Sequence, residues 1–135
     1  MEIVDFHNHV MPGVDDGATS DDESAAALRA FAAQDARHVV ATPHFEGSLT
    51  LRAELAAERL EELDRGWERL QRIAEEHAPE ITIHRGAEIA LDTPAPDLSD
   101  ERLRLAGTSF VLCEYPYMTV PPNSTGVLHT IMNAG

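Results

Sequence analysis

The chain has 135 residues and a formal charge of −14, from 24 Asp and Glu against 10 Lys and Arg. Such an acidic balance repels nucleic acid and anionic membranes, so we expect no nucleic-acid partner. No apolar stretch approaches the roughly 20 residues that span a bilayer, and the first residues lack a basic segment followed by an apolar one, so we expect no signal peptide. The single cysteine, Cys113, rules out an intrachain disulfide and suits a reducing compartment. We therefore expect no membrane insertion and a cytoplasmic protein.

Strand-like and helical segments alternate from the start of the chain. Residues 3–6 predict a short buried strand, and residues 11–17 form a loop that contains an Asp-Gly turn pair. Ser20 or Asp21 is expected to cap a first helix, whose acidic first turn suits the positive end of the helix dipole.

The middle of the chain continues this alternation. Residues 38–42 predict a second strand that ends at Pro43 and His44. Residues 51–77 carry apolar side chains at alternating spacings of four and three, which is the pattern of a long amphipathic helix. Residues 81–85 predict a third strand.

The last third predicts a short helical segment at residues 99–105, a fourth strand at 110–114 and a final helix at 123–134. Strands separated by helices require crossover connections. The fold class predicted from this pattern is α/β, with a mostly parallel sheet and helices outside it.

Histidines and carboxylates gather near the carboxyl ends of the predicted strands. Parallel α/β folds build their sites at this edge, because the loops there converge on one crevice. Asp5, His7 and His9 alternate along the first strand and its end, so they should project to the same side. The candidate metal ligands are His7, His9, Asp16, His44, Glu88 and Glu114.

Mixed imidazole and carboxylate ligands suit Mn, Zn or Fe. Bridging carboxylates can hold two ions about 3.5–4 Å apart, as hydrolytic metal clusters do. Bound cations would also let an acidic protein meet an anionic phosphate substrate.

Several candidates have a competing structural role. Asp15 is expected to form the turn before Gly17 rather than to bind metal. Asp16 could form the same turn, although we favour it as a ligand, and His44 could simply cap the loop after Pro43.

Further along the chain, Glu114 follows four apolar residues, where an unpaired carboxylate would be costly without a cation. Arg85 is open to two roles, support of the acidic site or an ordinary surface position. Four histidines lack such placement and are interpreted as surface or packing residues: His38, His77, His84 and His129.

Five motifs occur in a fixed order: Asp-Phe-His-Asn-His at 5–9, Pro-Gly-Val-Asp-Asp-Gly at 12–17, Ala-Thr-Pro-His at 41–44, Gly-Ala-Glu at 86–88 and Cys-Glu-Tyr-Pro at 113–116. Together they resemble the polymerase and histidinol phosphatase (PHP) superfamily. They most resemble its bacterial manganese-dependent tyrosine phosphatases of capsule and exopolysaccharide synthesis. The resemblance covers essentially the whole chain.

This resemblance implies a distorted β/α barrel with two or three divalent ions in the complete domain, Mn²⁺ first and Zn²⁺ or Fe as alternatives. It implies hydrolysis of phosphotyrosine on a protein such as a bacterial tyrosine kinase, and it is compatible with an oligomer. The six candidate ligands match metal ligands of the family, and Asp5 matches a supporting residue that orients a ligand histidine.

The family's later His-Pro-Glu-Arg and Ser-Asp-Ala-His-like motifs do not occur here, so the arginine that contacts phosphate would lie beyond Gly135. We therefore expect residues 1–135 to be the N-terminal portion of a PHP phosphatase domain, a partial barrel without full activity. Two alternatives are a small-molecule phosphoesterase such as histidinol phosphatase and a non-catalytic PHP module.

Overall fold

The strands form two parallel sheets of three strands each, in a computed structural model that describes residues 3–115 and 120–134. Within these residues the strands are β1 (Ile3–Asp5), β2 (Ala36–Ala41), β3 (His44–Glu46), β4 (Thr82–Arg85), β5 (Glu88–Ala90) and β6 (Leu112–Glu114). The first sheet has the order β1-β2-β4 and the second β3-β5-β6, with every pairing parallel. The predicted α/β class with parallel strands is confirmed, but among the described residues the two sheets stay open and do not close into a barrel.

Two predicted strands continue past a break into the second sheet. After β2 ends at Ala41, Thr42 and Pro43 separate it from β3, and Gly86 and Ala87 separate β4 from β5 in the same way. The prediction that His44 and Glu88 follow strand ends was therefore incomplete, because each is also the first residue of a strand in the other sheet. Pro43 cannot donate a ladder hydrogen bond, which favours a break at this point.

The first strand differs from its prediction in burial and length. β1 ends at Asp5 rather than at residue 6, and the side chains of Ile3 and Phe6 are 46% and 57% exposed. β1 is an edge strand that pairs only with β2 among the described residues, so one side of it has no neighbouring strand. The expectation of a buried first strand was wrong for this reason.

The helices lie close to their predicted positions: α1 (Asp21–Ala33), α2 (Ala53–His77) and α3 (Ser124–Asn133). The hydroxyl of Ser20 accepts a hydrogen bond from the backbone N–H of Glu23, which is the predicted N-cap. α2 begins two residues later than predicted because a 3₁₀ helix, Gly47–Leu51, precedes it. In place of one helical segment at 99–105, two short 3₁₀ helices occur.

α2 packs its apolar face onto the core and holds the loop after β1. Leu63 and Leu70 are buried in this face. Gly66 lies where a Cβ atom would come within 2.7 Å of the Val14 side chain and 2.8 Å of the Met11 sulfur. Glycine at this position therefore permits close contact between α2 and the loop, which is a packing role and outweighs its low helix propensity.

Two remaining predictions concern the end of the chain and the membrane. Cys113 is half-buried in β6 and packs against the core. Pro116 of the Cys-Glu-Tyr-Pro motif lies outside the described residues. Over the part of the chain that the structure describes, every helix is too short or too polar to cross a bilayer.

Candidate metal centre

Asn8 anchors the histidine motif to the end of β2. Its backbone N–H donates to the Thr42 hydroxyl, and its side-chain amide donates to the Val40 carbonyl. Thr42 in turn donates its N–H to the Asn8 carbonyl. The buried Asn8 thereby fixes the backbone between His7 and His9 and places both imidazoles at the break between the two sheets.

The loop of residues 10–17 folds back against His9. A Cβ atom on Gly17 would lie 2.2 Å from the His9 carbonyl oxygen, so only glycine fits this approach. Asp15 accepts a hydrogen bond from the Gly17 N–H, which confirms the predicted turn. Its other carboxylate oxygen lies 2.8 Å from Nδ1 of His9 and accepts from the backbone N–H of His44.

Glu88 is a buried carboxylate surrounded by three imidazoles. Its oxygens lie 3.0 Å from Nε2 of His7, 3.2 Å from Nε2 of His9 and 3.4 Å from Nδ1 of His44. The Glu88 side chain is only 7% exposed, whereas that of His7 is 52% exposed. The centre therefore has a buried floor formed by Glu88 and an open side.

Two further carboxylates approach His44 from opposite ring nitrogens. Oδ1 of Asp16 lies 3.3 Å from its Nε2, and Oε1 of Glu114 lies 3.1 Å from its Nδ1. Asp16 is mostly exposed, and Glu114 is about one-third exposed. These two acids border the open side of the centre.

All six predicted ligands meet in this one place. Their ligand atoms form three overlapping groups, each within 4.8 Å, in which His9, His44 and Glu88 are shared between groups: His7, His9 and Glu88; His9, Asp16 and His44; His44, Glu88 and Glu114. The three groups draw on four separate stretches of the sequence. They meet at the break between the two sheets, beyond the carboxyl ends of β1, β2 and β4, as predicted for the strands of the first sheet.

The chemistry of the donor set fits bound cations. If His9 is neutral, its Nδ1–H donates a hydrogen bond to Asp15, and the lone pair of its Nε2 then faces the carboxylate of Glu88 at 3.2 Å. A neutral His44 has the same problem, because both of its ring nitrogens face carboxylates and only one can carry a proton. Protonated rings or divalent cations would remove this repulsion, and a cation between nitrogen and oxygen ligands is the arrangement that such a donor set suits.

The contact between His9 and Asp15 shifts the pKa values of both groups. Burial alone would lower the pKa of His9, but the hydrogen bond and charge of Asp15, with the charges of Glu88 and Asp16, outweigh it and raise the value. Burial would likewise raise the pKa of Asp15, yet its hydrogen bonds to His9 and to the backbone of Gly17 and His44 lower it. Asp15 is therefore held as a carboxylate that keeps a proton on Nδ1 of His9.

A cleft of about 530 Å³ opens beside the centre. Asp16, His44 and Glu114 line one part of it. Arg59 of α2 is the one cationic side chain among the described residues that line it. An anionic group in this cleft would meet the exposed edge of the candidate metal centre.

Other predicted roles have mixed outcomes. The Asp5 carboxylate accepts from the backbone N–H of His7 and from the Asn8 amide, so its contact with the motif is through these groups rather than a histidine ring. Arg85 pairs with Asp64 of α2 at 2.6 Å, which favours a structural role over support of the acidic site. His38 and His84 lie in β2 and β4 with ring nitrogens 3.0 Å apart, away from the centre.

Sequence reasoning missed two residues that hold the centre in place. Asp15 was interpreted as a turn residue only, although its second oxygen contacts both His9 and His44. Arg59 lies on a helix whose pattern indicates only core packing, and its guanidinium donates to the backbone of two segments of the site. In the sequence, the position of Asp15 beside Asp16 is a weak signal for its role in the centre. No feature of the sequence points to such a role for Arg59.

The fold and the cluster together define an α/β protein with a candidate metal centre, whose histidines and carboxylates suit divalent cations. Residues 3–135 match the family described as capsular polysaccharide synthesis, CpsB/CapC. The chain belongs to this family, as the resemblance of its motifs predicted.

One curated relative agrees with this membership, and one solved structure shares the fold. The tyrosine-protein phosphatase YwqE of Bacillus subtilis (strain 168) is 30% identical over 122 residues, which cover 88% of this chain and 45% of that protein. A chain from crystal structures of YwqE from Bacillus subtilis and CpsB from Streptococcus pneumoniae, described as metal-dependent tyrosine phosphatases, matches with a TM-score of 0.76 and 23% identity. That match covers 98% of this chain and 52% of the other, and it shows a shared fold. The chain thus spans about half the length of these relatives.

Proposed function

We propose that this chain supplies the metal-binding portion of a metal-dependent protein-tyrosine phosphatase. Residues 1–135 would form the N-terminal part of a PHP domain that closes as a distorted β/α barrel in its complete form. The substrate would be phosphotyrosine in a protein, such as a bacterial tyrosine kinase of capsule or exopolysaccharide synthesis, in the cytoplasm. Membership of the CpsB/CapC family and the phosphatase names of the relatives support this proposal.

The observation that carries the proposal is the convergence of three imidazoles on the buried carboxylate of Glu88, with Asp16 and Glu114 beside them. His7, His9, Asp16, His44, Glu88 and Glu114 would hold the ions. Mn²⁺ is the proposed metal, since oxygen and imidazole ligands suit it and the family resemblance implies it. Zn²⁺ and Fe fit the same donors.

Divalent ions in such a centre supply a Lewis acid for the phosphoryl oxygens and bring the pKa of a bound water close to 7. The chain's own residues set the conditions for this chemistry. Glu88 forms the buried floor of the centre, while the exposed positions of His7 and Asp16 leave one side open to a substrate. Asp15 keeps His9 in the tautomer whose Nε2 points toward Glu88.

Calorimetric titration of the metal-free 135-residue chain with Mn²⁺ tests the centre directly. We expect binding of at least one equivalent. A saturating ion at 100 times its dissociation constant should stabilise the fold by about 2.7 kcal/mol, or roughly 5–10 °C in melting temperature. Chelator should reverse both effects. A melting temperature unaffected by Mn²⁺, Zn²⁺ and chelator would contradict the proposal.

Substrate preference is tested on the same chain and on a version extended to the length of its relatives. Release of phosphate from a phosphotyrosine peptide is compared with release from histidinol phosphate, with Mn²⁺ and with chelator. We expect metal-dependent activity on the peptide, at a low level for the 135-residue chain. Preference for histidinol phosphate would favour a small-molecule phosphoesterase, and metal binding without any turnover in the extended chain would indicate a binding module.

A further inference from the structure

Arg59 connects α2 to two separate segments of the candidate metal centre. Its Nη1 donates to the carbonyl of Val14 at 2.9 Å, and its Nη2 donates to the carbonyl of His44 at 2.7 Å. Val14 directly precedes Asp15 and Asp16 in the loop, and His44 begins β3. One side chain therefore joins the two segments through their backbones.

Asp15 makes the reciprocal contact from the loop. Its carboxylate accepts from the N–H of His44, so both polar backbone groups of His44 are held by side chains, N–H by Asp15 and carbonyl by Arg59. Arg59 thus contacts Val14 and His44, and Asp15, the neighbour of Val14, also contacts His44. We call these four residues, Val14, Asp15, His44 and Arg59, the Arg59 clamp.

The surroundings of Arg59 suit a fixed guanidinium. Its side chain is 15% exposed and also pairs with Glu62 one helical turn away, at 2.5 Å from Nη1. A planar fork can donate to two acceptors in a fixed geometry, whereas a lysine ammonium offers a point charge. A shift of His44 would also change its contacts with Asp16 and Glu114, because their carboxylates contact its two ring nitrogens.

We infer that Arg59 is a positioning residue of the metal centre, which sets the distance between the Asp15–Asp16 loop and His44. The expected effect on metal affinity rests on the proposed function. The contacts of Arg59 themselves do not depend on a bound ion. Arg59→Met and Arg59→Lys test it. Arg69→Met is the matched control, because Arg69 is on the same helix and pairs with Asp21 of α1 instead.

The first measurement is hydrogen exchange of the metal-free chain. Arg59→Met should speed exchange of the His44 amide and of the segment around it by at least about tenfold, whereas Arg69→Met should leave that segment unchanged. Circular dichroism confirms that each variant is folded. Unchanged exchange at His44 in a folded Arg59→Met chain would overturn the inference.

The second measurement is Mn²⁺ affinity by calorimetry. Loss of a residue that orients ligands costs about 10–100-fold in metal affinity, so Arg59→Met should bind more weakly by about this factor. Arg59→Lys should recover little, and Arg69→Met should match the unmodified chain. Full affinity in Arg59→Met would overturn the inference. Absence of Mn²⁺ binding in the unmodified chain would instead overturn the proposed function, and exchange at His44 would then decide the clamp by itself.

Discussion

His44 and Glu88 lie opposite each other on neighbouring strands, β3 and β5, and Nδ1 of His44 is 3.4 Å from Oε2 of Glu88. Each is the first residue of its strand after a break from the other sheet. The register of a parallel pair thus aligns an imidazole with a carboxylate at the junction of the two sheets. Glu114 ends β6, which pairs with β5 on its other side.

Glu88→Gln should remove the negative charge that the three imidazoles share. The amide cannot act as an anionic ligand, so we expect Mn²⁺ affinity to fall by at least the roughly 10–100-fold seen when only supporting contacts are lost. Calorimetric titration of the folded variant measures this. Glu61→Gln, at an exposed position of α2, is the control and should bind as the unmodified chain does. Equal affinity in the Glu88 variant would place the metal elsewhere.

Asp15→Asn should weaken Mn²⁺ binding without removing a proposed ligand. The asparagine keeps the shape but loses the charge that raises the pKa of His9 and orients its Nδ1. We expect about a tenfold loss of affinity. Asp22→Asn, in the exposed first turn of α1, is the matched control. If both asparagine variants bind Mn²⁺ equally well, Asp15 serves only the turn.

Gly66→Ala should destabilise the chain although alanine is the better helix former. Alanine gains about 1 kcal/mol in helix propensity, but its Cβ would collide with the side chains of Met11 and Val14. Overpacking of this kind costs about 1–3 kcal/mol, so the free energy of unfolding in urea should fall.

Ala57→Gly, at an exposed α2 position, calibrates the propensity alone and should cost about 1 kcal/mol. A Gly66→Ala chain that is more stable than the unmodified one would show that the loop at residues 11–14 yields without penalty.

Stability should decline with acidification in part because of His84. Burial and the charge of His38 lower the pKa of His84 below its ordinary value of 6.5. As the pH falls below about 6.5, the unfolded chain binds this proton before the folded chain does, so acid favours unfolding. When the pH of the metal-free protein is lowered from about 7.5 to about 5.5, the melting temperature of His84→Gln should therefore fall less than that of the unmodified chain. Parallel pH profiles of the two chains would be evidence against a lowered pKa.

The helices were predictable because their signals are local. Ser20 caps α1 as expected, since the cap and the acidic first turn lie within four residues. The regular spacing of apolar residues along α2 predicts its buried face, and Leu60, Leu63 and Leu70 are buried there. Its first turn was misplaced because the 3₁₀ helix Gly47–Leu51 leaves no clear pattern in the sequence.

The second sheet was not predictable from pattern. β3 and β5 have three residues each, too few to show an alternation of their own. Their pairing depends on the contact of segments more than forty residues apart in sequence, such as Phe45 with Ile89. The exposure of β1 was missed for a related reason, since burial of a strand depends on whether a neighbour covers it.

The sequence by itself determined the chemical identity of the centre: which imidazoles and acids are available, and that they follow strands whose ends converge. The tertiary structure decided how they combine, because only the parallel register and the sheet breaks bring Glu88 under three histidines. It also decided the roles of Asp15 and Arg59, which act by hydrogen bonds to backbone groups far away in sequence. Such contacts depend on distance in space, and a local pattern of residue types carries no record of them.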